Sequence, residues 1–282
     1  MILDSLQTMS IIIAMNTSVK PKPILKWAGG KQYLSRFLVE RFPIDFKRYY
    51  EPFLGGGSVL LELQPSTAVV GDLNDWLLDT YEAVRIEWQS VAAALDRMEN
   101  SKIEYMKIRK KRPQDLAQHE RAAQLIYLNK TCFRGLFRVN RKGEFNVPYG
   151  AYNRRYYTTE NLQAFSEILR AVEIRRGDFE ICLQDVNQQD FVYFDPPYYK
   201  LGGYSDFNRY TPEQFRLGDH YRLAAFCREL DMQGVRWALS NSNTALIRKL
   251  FLGYNIVSVN ARRDINLNSE QRRIQELLIT NF

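Results

Sequence analysis

No run of about 18 apolar residues occurs anywhere in the 282-residue sequence, which excludes a membrane-spanning helix. Cysteine and histidine are scarce. Cys132, Cys182 and Cys227 lie far apart and are odd in number, and only His119 and His220 could join them around a metal. Neither metal-ligand spacing nor a disulfide framework results, so the expectation is a reduced, cytoplasmic chain without metal. A secretory leader is also missing, because Ile11-Ile12-Ile13 is too short an apolar core and the first basic side chain is Lys20. Residues 1–19 read as a flexible tail, with Met9 and Met15 as alternative starts. Bulk disorder is excluded by what is present: 45% hydrophobic residues, 17 Tyr and 16 Phe, enough for a full core plus a smaller module.

Positive charge is abundant but unevenly placed. The net charge is +7, yet residues 101–155 alone hold 14 Lys/Arg against 4 Asp/Glu, a local balance of +10 that leaves −3 for the other 227 residues. A near-neutral body with one basic segment is the electrostatic footprint of a nucleic-acid binder. A solvated helix face explains residues 107–112 equally well, but not the aromatic-rich stretch that follows.

Hydrophobic periodicity organises the rest. A strand over 48–53 leads into Gly55-Gly56-Gly57 and a short helix over 58–63, and a buried strand over 68–71 ends at Asp72. Helical spacing runs through 76–88, 91–109 and 116–128, then breaks into a turn-rich stretch over 131–150. Strands follow at 173–176, 191–194, 235–239, 255–259 and 274–280, with a helix over 212–233 capped by Thr211. Strands alternating with helices imply a largely parallel sheet covered on both faces. The expected layout is a tail over 1–19, an α/β domain over 20–72 and 158–282, and an inserted helical and hairpin module over 73–157.

The chemistry concentrates after the strand over 191–194, where Asp195-Pro196-Pro197-Tyr198 follows directly. Ligands of open α/β sheets bind beyond the carboxyl ends of strands. Two prolines fix φ and remove backbone donors, leaving carbonyl acceptors in a stiff arrangement. That suits an aromatic amine with two hydrogens to donate. The amine of adenine is a poor nucleophile because its lone pair is delocalised. Asp195 and the Pro196 carbonyl, accepting one hydrogen each, would favour a pyramidal nitrogen, and Tyr198 could stack on a base extruded from the duplex. The glycine loop after Glu51-Pro52-Phe53 and the acid Asp72 suit a ligand carrying a ribose. No Gly-Lys-Ser/Thr closes that loop, which disfavours a phosphate-binding role.

Several blocks together resemble the DNA adenine methylase family. They are Lys26-Trp27-Ala28-Gly29-Gly30-Lys31, Glu51 through Gly57, the stretch 128–150, Asp195 through Tyr198, and Ser240-Asn241-Ser242. The resemblance spans about residues 23–282 and implies a Rossmann-like S-adenosylmethionine-dependent methyltransferase fold with an inserted DNA-recognition domain. It also implies an adenine-N6 methyltransferase acting on double-stranded DNA at GATC. Carried over, it assigns Asp195, Pro196, Pro197 and Tyr198 to catalysis. Trp27, Lys31, Phe53, Gly55, Gly57, Asp72, Asp178, Phe179 and Asp195 would line the S-adenosylmethionine pocket, with Lys31 on the methionyl carboxylate and Asp72 on the ribose. Asp178 is equally readable as a turn acid.

For DNA the resemblance implies Lys26, Phe133, Arg134, Leu136, Arg138, Asn140 and Pro148. Arginine is the favoured bidentate partner of guanine, which makes Arg138 the best direct reader. Phe133 would wedge into the stack the adenine leaves, and Leu136 and Pro148 would touch a thymine methyl. Arg134 stands where relatives often carry Asn, and a phosphate contact is the expected role. The loop over 199–210 would close over the base, or serve as a connector; the link over 262–273 would touch phosphate, or simply be solvated. Two alternatives stand beside this reading: methylation of the cytosine amine, and a catalytically silent DNA-binding protein. A cognate restriction endonuclease would be a functional rather than a physical partner.

Overall fold

A computed structural model describes residues 20–140, 142–199, 215–262 and 273–282. The expected tail, most of the 199–210 loop, the Thr211 cap with Pro212, and most of the 262–273 link lie outside the described residues.

Seven strands form one sheet: β1 (Tyr49–Glu51), β2 (Ala68–Asp72), β3 (Val172–Arg176), β4 (Phe191–Phe194), β5 (Arg236–Ser242), β6 (Asn255–Arg262) and β7 (Arg273–Thr280). Their order is β3-β2-β1-β4-β5-β7-β6, with β1 to β5 parallel and β7 antiparallel to both its neighbours. The central strands are apolar on both faces because both are covered, whereas the edge strands β3 and β6 carry polar, exposed residues. In β4, Phe191 and Tyr193 belong to one core cluster while Val192 and Phe194 belong to the other, as the two-residue alternation of a strand requires. This seven-stranded α/β sheet fits the Rossmann-like fold that the resemblance implies.

Nine α-helices lie among the described residues: α1 (Ser35–Val39), α2 (Ser58–Leu63), α3 (Asp75–Asp96), α4 (Lys102–Lys110), α5 (Gln118–Thr131), α6 (Thr159–Leu169), α7 (Phe179–Cys182), α8 (Leu217–Met232) and α9 (Ala245–Leu250). Three depart from the sequence reading. The periodic run 91–109 is two helices, because the Ser101 side chain accepts from Glu104 N and starts α4 afresh. Helix α6, capped by Thr158 and burying Leu162, Phe165 and Leu169 at helical spacing, had been passed over. Helix α8 begins at Leu217, after the non-helical Phe215 and Arg216.

The chain order reverses between β1 and β4, so the loops leaving these neighbouring strands flank a crevice at the carboxyl edge of the sheet. At the opposite edge the same two strands are tied together by Asp190, which is fully buried. Its carboxylate accepts from Arg48 N, from the Arg48 guanidinium at 3.1 Å and from both Asn187 nitrogens. Arg48 also reaches Asp185 at 2.8 Å. Asp190→Ala removes a buried acceptor from Arg48 and Asn187, leaving Arg48 only Asp185, and should destabilise the fold by about 1–3 kcal/mol. The midpoint of urea unfolding checks this; an unchanged midpoint would remove Asp190 from the framework.

Candidate active site

On the β1 side of the crevice, the glycine loop is shaped by Asp72 at the end of β2. One Asp72 oxygen accepts from Gly55 N at 3.0 Å and the other from Asn74 N at 2.9 Å, and the Tyr81 hydroxyl donates to Gly55 O at 2.7 Å. Gly55 sits at φ +49°, and a Cβ there would fall 2.8 Å from Cδ1 of Trp27. Glycine is therefore needed both for the backbone angle and for the indole. Burial pushes the Asp72 carboxyl up to about 6, against its backbone donors. A carboxylate offers about four acceptor positions, so two backbone bonds leave room for ribose hydroxyls.

An aromatic wall follows. Phe53 packs against Phe179 at 5.8 Å, Phe194 at 6.5 Å and edge-on against Phe215 at 5.7 Å. The Arg222 guanidinium lies 4.6 Å from the Phe179 ring centre. Asp178 caps α7 by accepting from Glu180 N and pairs with Arg222 Nη2 at 2.6 Å, the structural-acid arrangement that the sequence left open beside a cofactor contact.

Across the crevice, Asp195 follows β4. Lys31 Nζ stands 2.7 Å from its Oδ1, donates to Gly29 O at 2.6 Å, and lies 4.7 Å from the centre of the Tyr198 ring. Apart from that ion pair, the buried Oδ1 has no hydrogen-bond partner among the described residues. Burial pushes the Asp195 carboxyl up to about 6; Lys31 opposes the shift, whereas Glu276 adds to it. Ser240-Asn241-Ser242 clamps the chain just after the tetrad. Tyr199 N donates to Asn241 Oδ1, and Ser242 Oγ donates to Tyr199 O at 2.5 Å. Ser240 Oγ lies 2.8 Å from the Tyr193 hydroxyl.

The basic stretch forms a short hairpin beside this crevice, with bridges Cys132 to Tyr149 and Val139 to Phe145. Asn140 closes its turn, accepting from Lys142 N and Glu144 N. Arg138 is exposed and donates to the Asn146 side chain at 2.6 Å. Phe133 is 46% exposed, Pro148 is exposed, and Leu136 packs half-buried on the core. Arg134 has φ +61°, with its N–H donating to the Tyr152 hydroxyl. Asn129 holds the backbone N–H and carbonyl of Lys26, and the stem of Lys26 lies against Gly135. Trp27 stacks at 5.1 Å on Phe137, joining the hairpin to the glycine loop.

Sequence reasoning missed three residues of this region, Lys130, Tyr152 and Arg154, and one acid of the crevice, Glu276; Glu51 it named only as the head of the glycine-loop block, without a role. Lys130 donates to Pro23 O, and burial, with Lys26 and Arg154 nearby, pulls its ammonium down to about 8. Arg154 lies 4.7 Å from the Tyr152 ring centre. Their signal was the charge run itself, which did not say which cations converge. Glu276 carried a weaker one, an acid opening a Leu-Leu-Ile run in a strand.

Glu51 gives a pH signature. Burial raises it to about 8 from an ordinary 4.5, although the Tyr49 hydroxyl donates to it. Between those values the folded state holds more protons than the unfolded state, so stability falls as pH rises toward 8. Asp72 and Asp195 act in the same direction, but only up to about 6. His220, lowered by burial to about 4 from 6.5, has the opposite slope and is finished by 6.5. Unfolding midpoints should therefore drop between pH 6.5 and 8, by about 2 kcal/mol at the full linkage slope. Glu51→Gln should flatten that drop, and an equal drop in the variant would assign it elsewhere.

Comparison with known proteins agrees with this geometry. The profile of the D12 class N6 adenine-specific DNA methyltransferases matches residues 27–265. The type II methyltransferase M.MjaIII of Methanocaldococcus jannaschii is 41% identical, covering 93% of this chain and 99% of its own. The type II methyltransferase M1.LlaDCHI of Lactococcus lactis subsp. cremoris is 35% identical, covering 96% and 99%. A DNA adenine methylase of Vibrio cholerae is 31% identical, covering 92% and 95%. Among the described residues no helix is long and apolar enough to cross a membrane, and no cluster of three or more His, Cys, Asp or Glu could hold a metal. The cytosine and silent-binder alternatives give way to an adenine-specific enzyme. The chain belongs to the D12 class of N6 adenine-specific DNA methyltransferases.

Proposed function

We propose that the chain transfers the methyl group of S-adenosylmethionine to N6 of adenine in duplex DNA, within GATC. The observation that carries the reading is the meeting of a buried, partly unsatisfied carboxylate, Asp195, with a glycine loop and a ribose-competent acid across one crevice. Features of the crevice suit an adenosyl group: half-buried Phe53, backed by the buried Phe179, offers an apolar face, Asp72 keeps acceptor capacity for ribose hydroxyls, and Gly55 lets the Trp27 indole close against the loop. When bound, the cofactor supplies an electrophilic sulfonium methyl. Lys31, already within reach of Asp195, would meet its methionyl carboxylate.

Asp195 and the Pro196 carbonyl then accept one amine hydrogen each, and the nitrogen lone pair is directed away from both. Tyr198 supplies a stacking surface worth about 1–3 kcal/mol. With the cofactor bound, the amine nitrogen would take the methyl group, an N–C bond replacing the S–C bond. One proton leaves the methylated, cationic amine for water, so the chain needs no general base. Residues 73–157 act as the recognition module: Arg138 reads guanine, Phe133 fills the vacated stack, and Lys26, Arg134, Leu136, Asn140 and Pro148 set the register. The type II names of two relatives favour a role in restriction–modification.

Sequencing methylated adenines in plasmid DNA from a methylation-deficient host expressing the protein should place the mark in GATC. A mark in another sequence would overturn the site, and no mark would overturn the activity. Asp195→Asn should abolish turnover while DNA binding persists; an active variant would remove Asp195 from the chemistry. Because the carboxylate must be ionised, kcat/KM should fall as pH drops through about 6. Arg138→Ala should weaken discrimination at one guanine by about 1–3 kcal/mol, read from competition between matched and mismatched duplexes. Unaltered base preference would assign Arg138 to phosphate or scaffold.

A further inference from the structure

We propose that Glu276 is a positioning residue of the catalytic centre, holding the Tyr198 ring in place for the target base and keeping a second carboxyl group beside Asp195. The inference rests on the methyl-transfer reading of Asp195 and Tyr198. Glu276 lies on β7, opposite Ser242 of β5 and Val259 of β6, and is 8% exposed. Leu277, Leu278 and Ile279 beside it are core residues. A carboxyl group at such a position is costly unless a strong partner compensates, and stability alone favours an apolar residue. Its partner is the Tyr198 hydroxyl, which donates to Oε2 at 2.8 Å.

Tyr198 is thereby fixed at three points. Glu276 holds the hydroxyl, the Lys31 ammonium covers one ring face, and Asn241 with Ser242 holds the backbone of the next residue. A base stacking on Tyr198 takes the ring face opposite Lys31. Free rotation about the tyrosine side-chain torsions would cost orientation at the reacting nitrogen, and small misplacements there are expensive in rate. The second effect is electrostatic. The groups facing Asp195 are Lys31, Tyr49 and Glu51 from β1, Tyr193 from β4, Tyr198, and Glu276 from β7. Lys31 and the Tyr198 hydroxyl pull the proton affinity of Asp195 down and Glu276 pushes it up. A more basic carboxylate is a stronger acceptor for the amine hydrogens.

Three variants separate the two effects. Glu276→Gln keeps an acceptor for Tyr198 but removes the carboxylate, so the acid limb of kcat/KM should move to lower pH. Glu276→Leu loses the tether as well, and should match Tyr198→Phe in a raised KM for duplex and in a weakened fluorescence rise from 2-aminopurine at the target adenine. The double variant should be no worse than either single one, as for two groups sharing one interaction. Tyr198→Phe also keeps the test decisive if Glu276→Leu fails to fold. An unmoved acid limb in Glu276→Gln, or additive losses in the double variant, would overturn the role of Glu276 while an inactive Asp195→Asn left the reading beneath it standing. An active Asp195→Asn would overturn both.

Discussion

Withdrawal of the Asp195 carboxyl from water, beside a single ammonium group, is the constraint that orders the rest of the site. A carboxylate at the end of a doubly covered parallel strand has lost its solvation, and its proton affinity rises accordingly. Lys31 restores enough stabilisation to keep it available as an anion at neutral pH. Its own position is set by the turn through Gly29 and Gly30, where Lys31 donates to Gly29 O. Lys31-Asp195 also links the segment before α1 to β4, two parts of the chain more than 160 residues apart in sequence. Neither partner is well placed without the other: a lone ammonium or a lone carboxylate at this depth would be neutralised rather than charged.

A second junction ties the hairpin to the glycine loop. Trp27 lies against the glycine loop on one side and Phe137 of the hairpin on the other. Lys26, the preceding residue, is fixed by Asn129 of α5, and its stem covers Gly135. A displacement of the hairpin is thus felt at the loop that cradles the cofactor on the proposed reading, through close-packed side chains rather than through a flexible tether. Fixing α5, hairpin and glycine loop in one block gives a rigid scaffold beside the crevice.

The sequence made the sheet legible because its strands are short apolar runs ended by acids and glycines. Asp72 and Asp195 were recognisable for that reason, each standing where an apolar strand stops. Helix α6 was missed since its apolar residues Leu162, Phe165 and Leu169 are diluted by polar neighbours, and its cap Thr158 follows a tyrosine pair that reads as loop. The break between α3 and α4 escaped notice because apolar spacing continues across it; only the Ser101 cap marks it. Asn140 was assigned to DNA on resemblance, and its side chain is seen closing a turn. Its hydrogen bonds are local, so no spacing rule distinguishes a turn-forming asparagine from a base-reading one. Glu276 was hidden for the opposite reason. Its partner Tyr198 is 78 residues away, and only strand order brings the two together.

Strand order also explains why the last strand is antiparallel and sits where it does. Inserting β7 between β5 and β6 brings its residues beside the carboxyl end of β5, where Ser242 pairs with Glu276. A parallel strand in that slot would reach the crevice with its carboxyl end, so a glutamate early in the strand would lie at the far edge of the sheet. The reversed direction instead delivers Glu276, early in β7, to the carboxyl edge of the parallel strands, leaving Leu277 to Ile279 for the core. The crevice then gathers Glu51, Asp72, Asp195 and Glu276 from four strands or their ends, with the Lys31 ammonium among them. On the proposed reading an Asp195 kept anionic by Lys31 suits a cationic sulfonium, while the basic run over 101–155 suits a phosphate backbone.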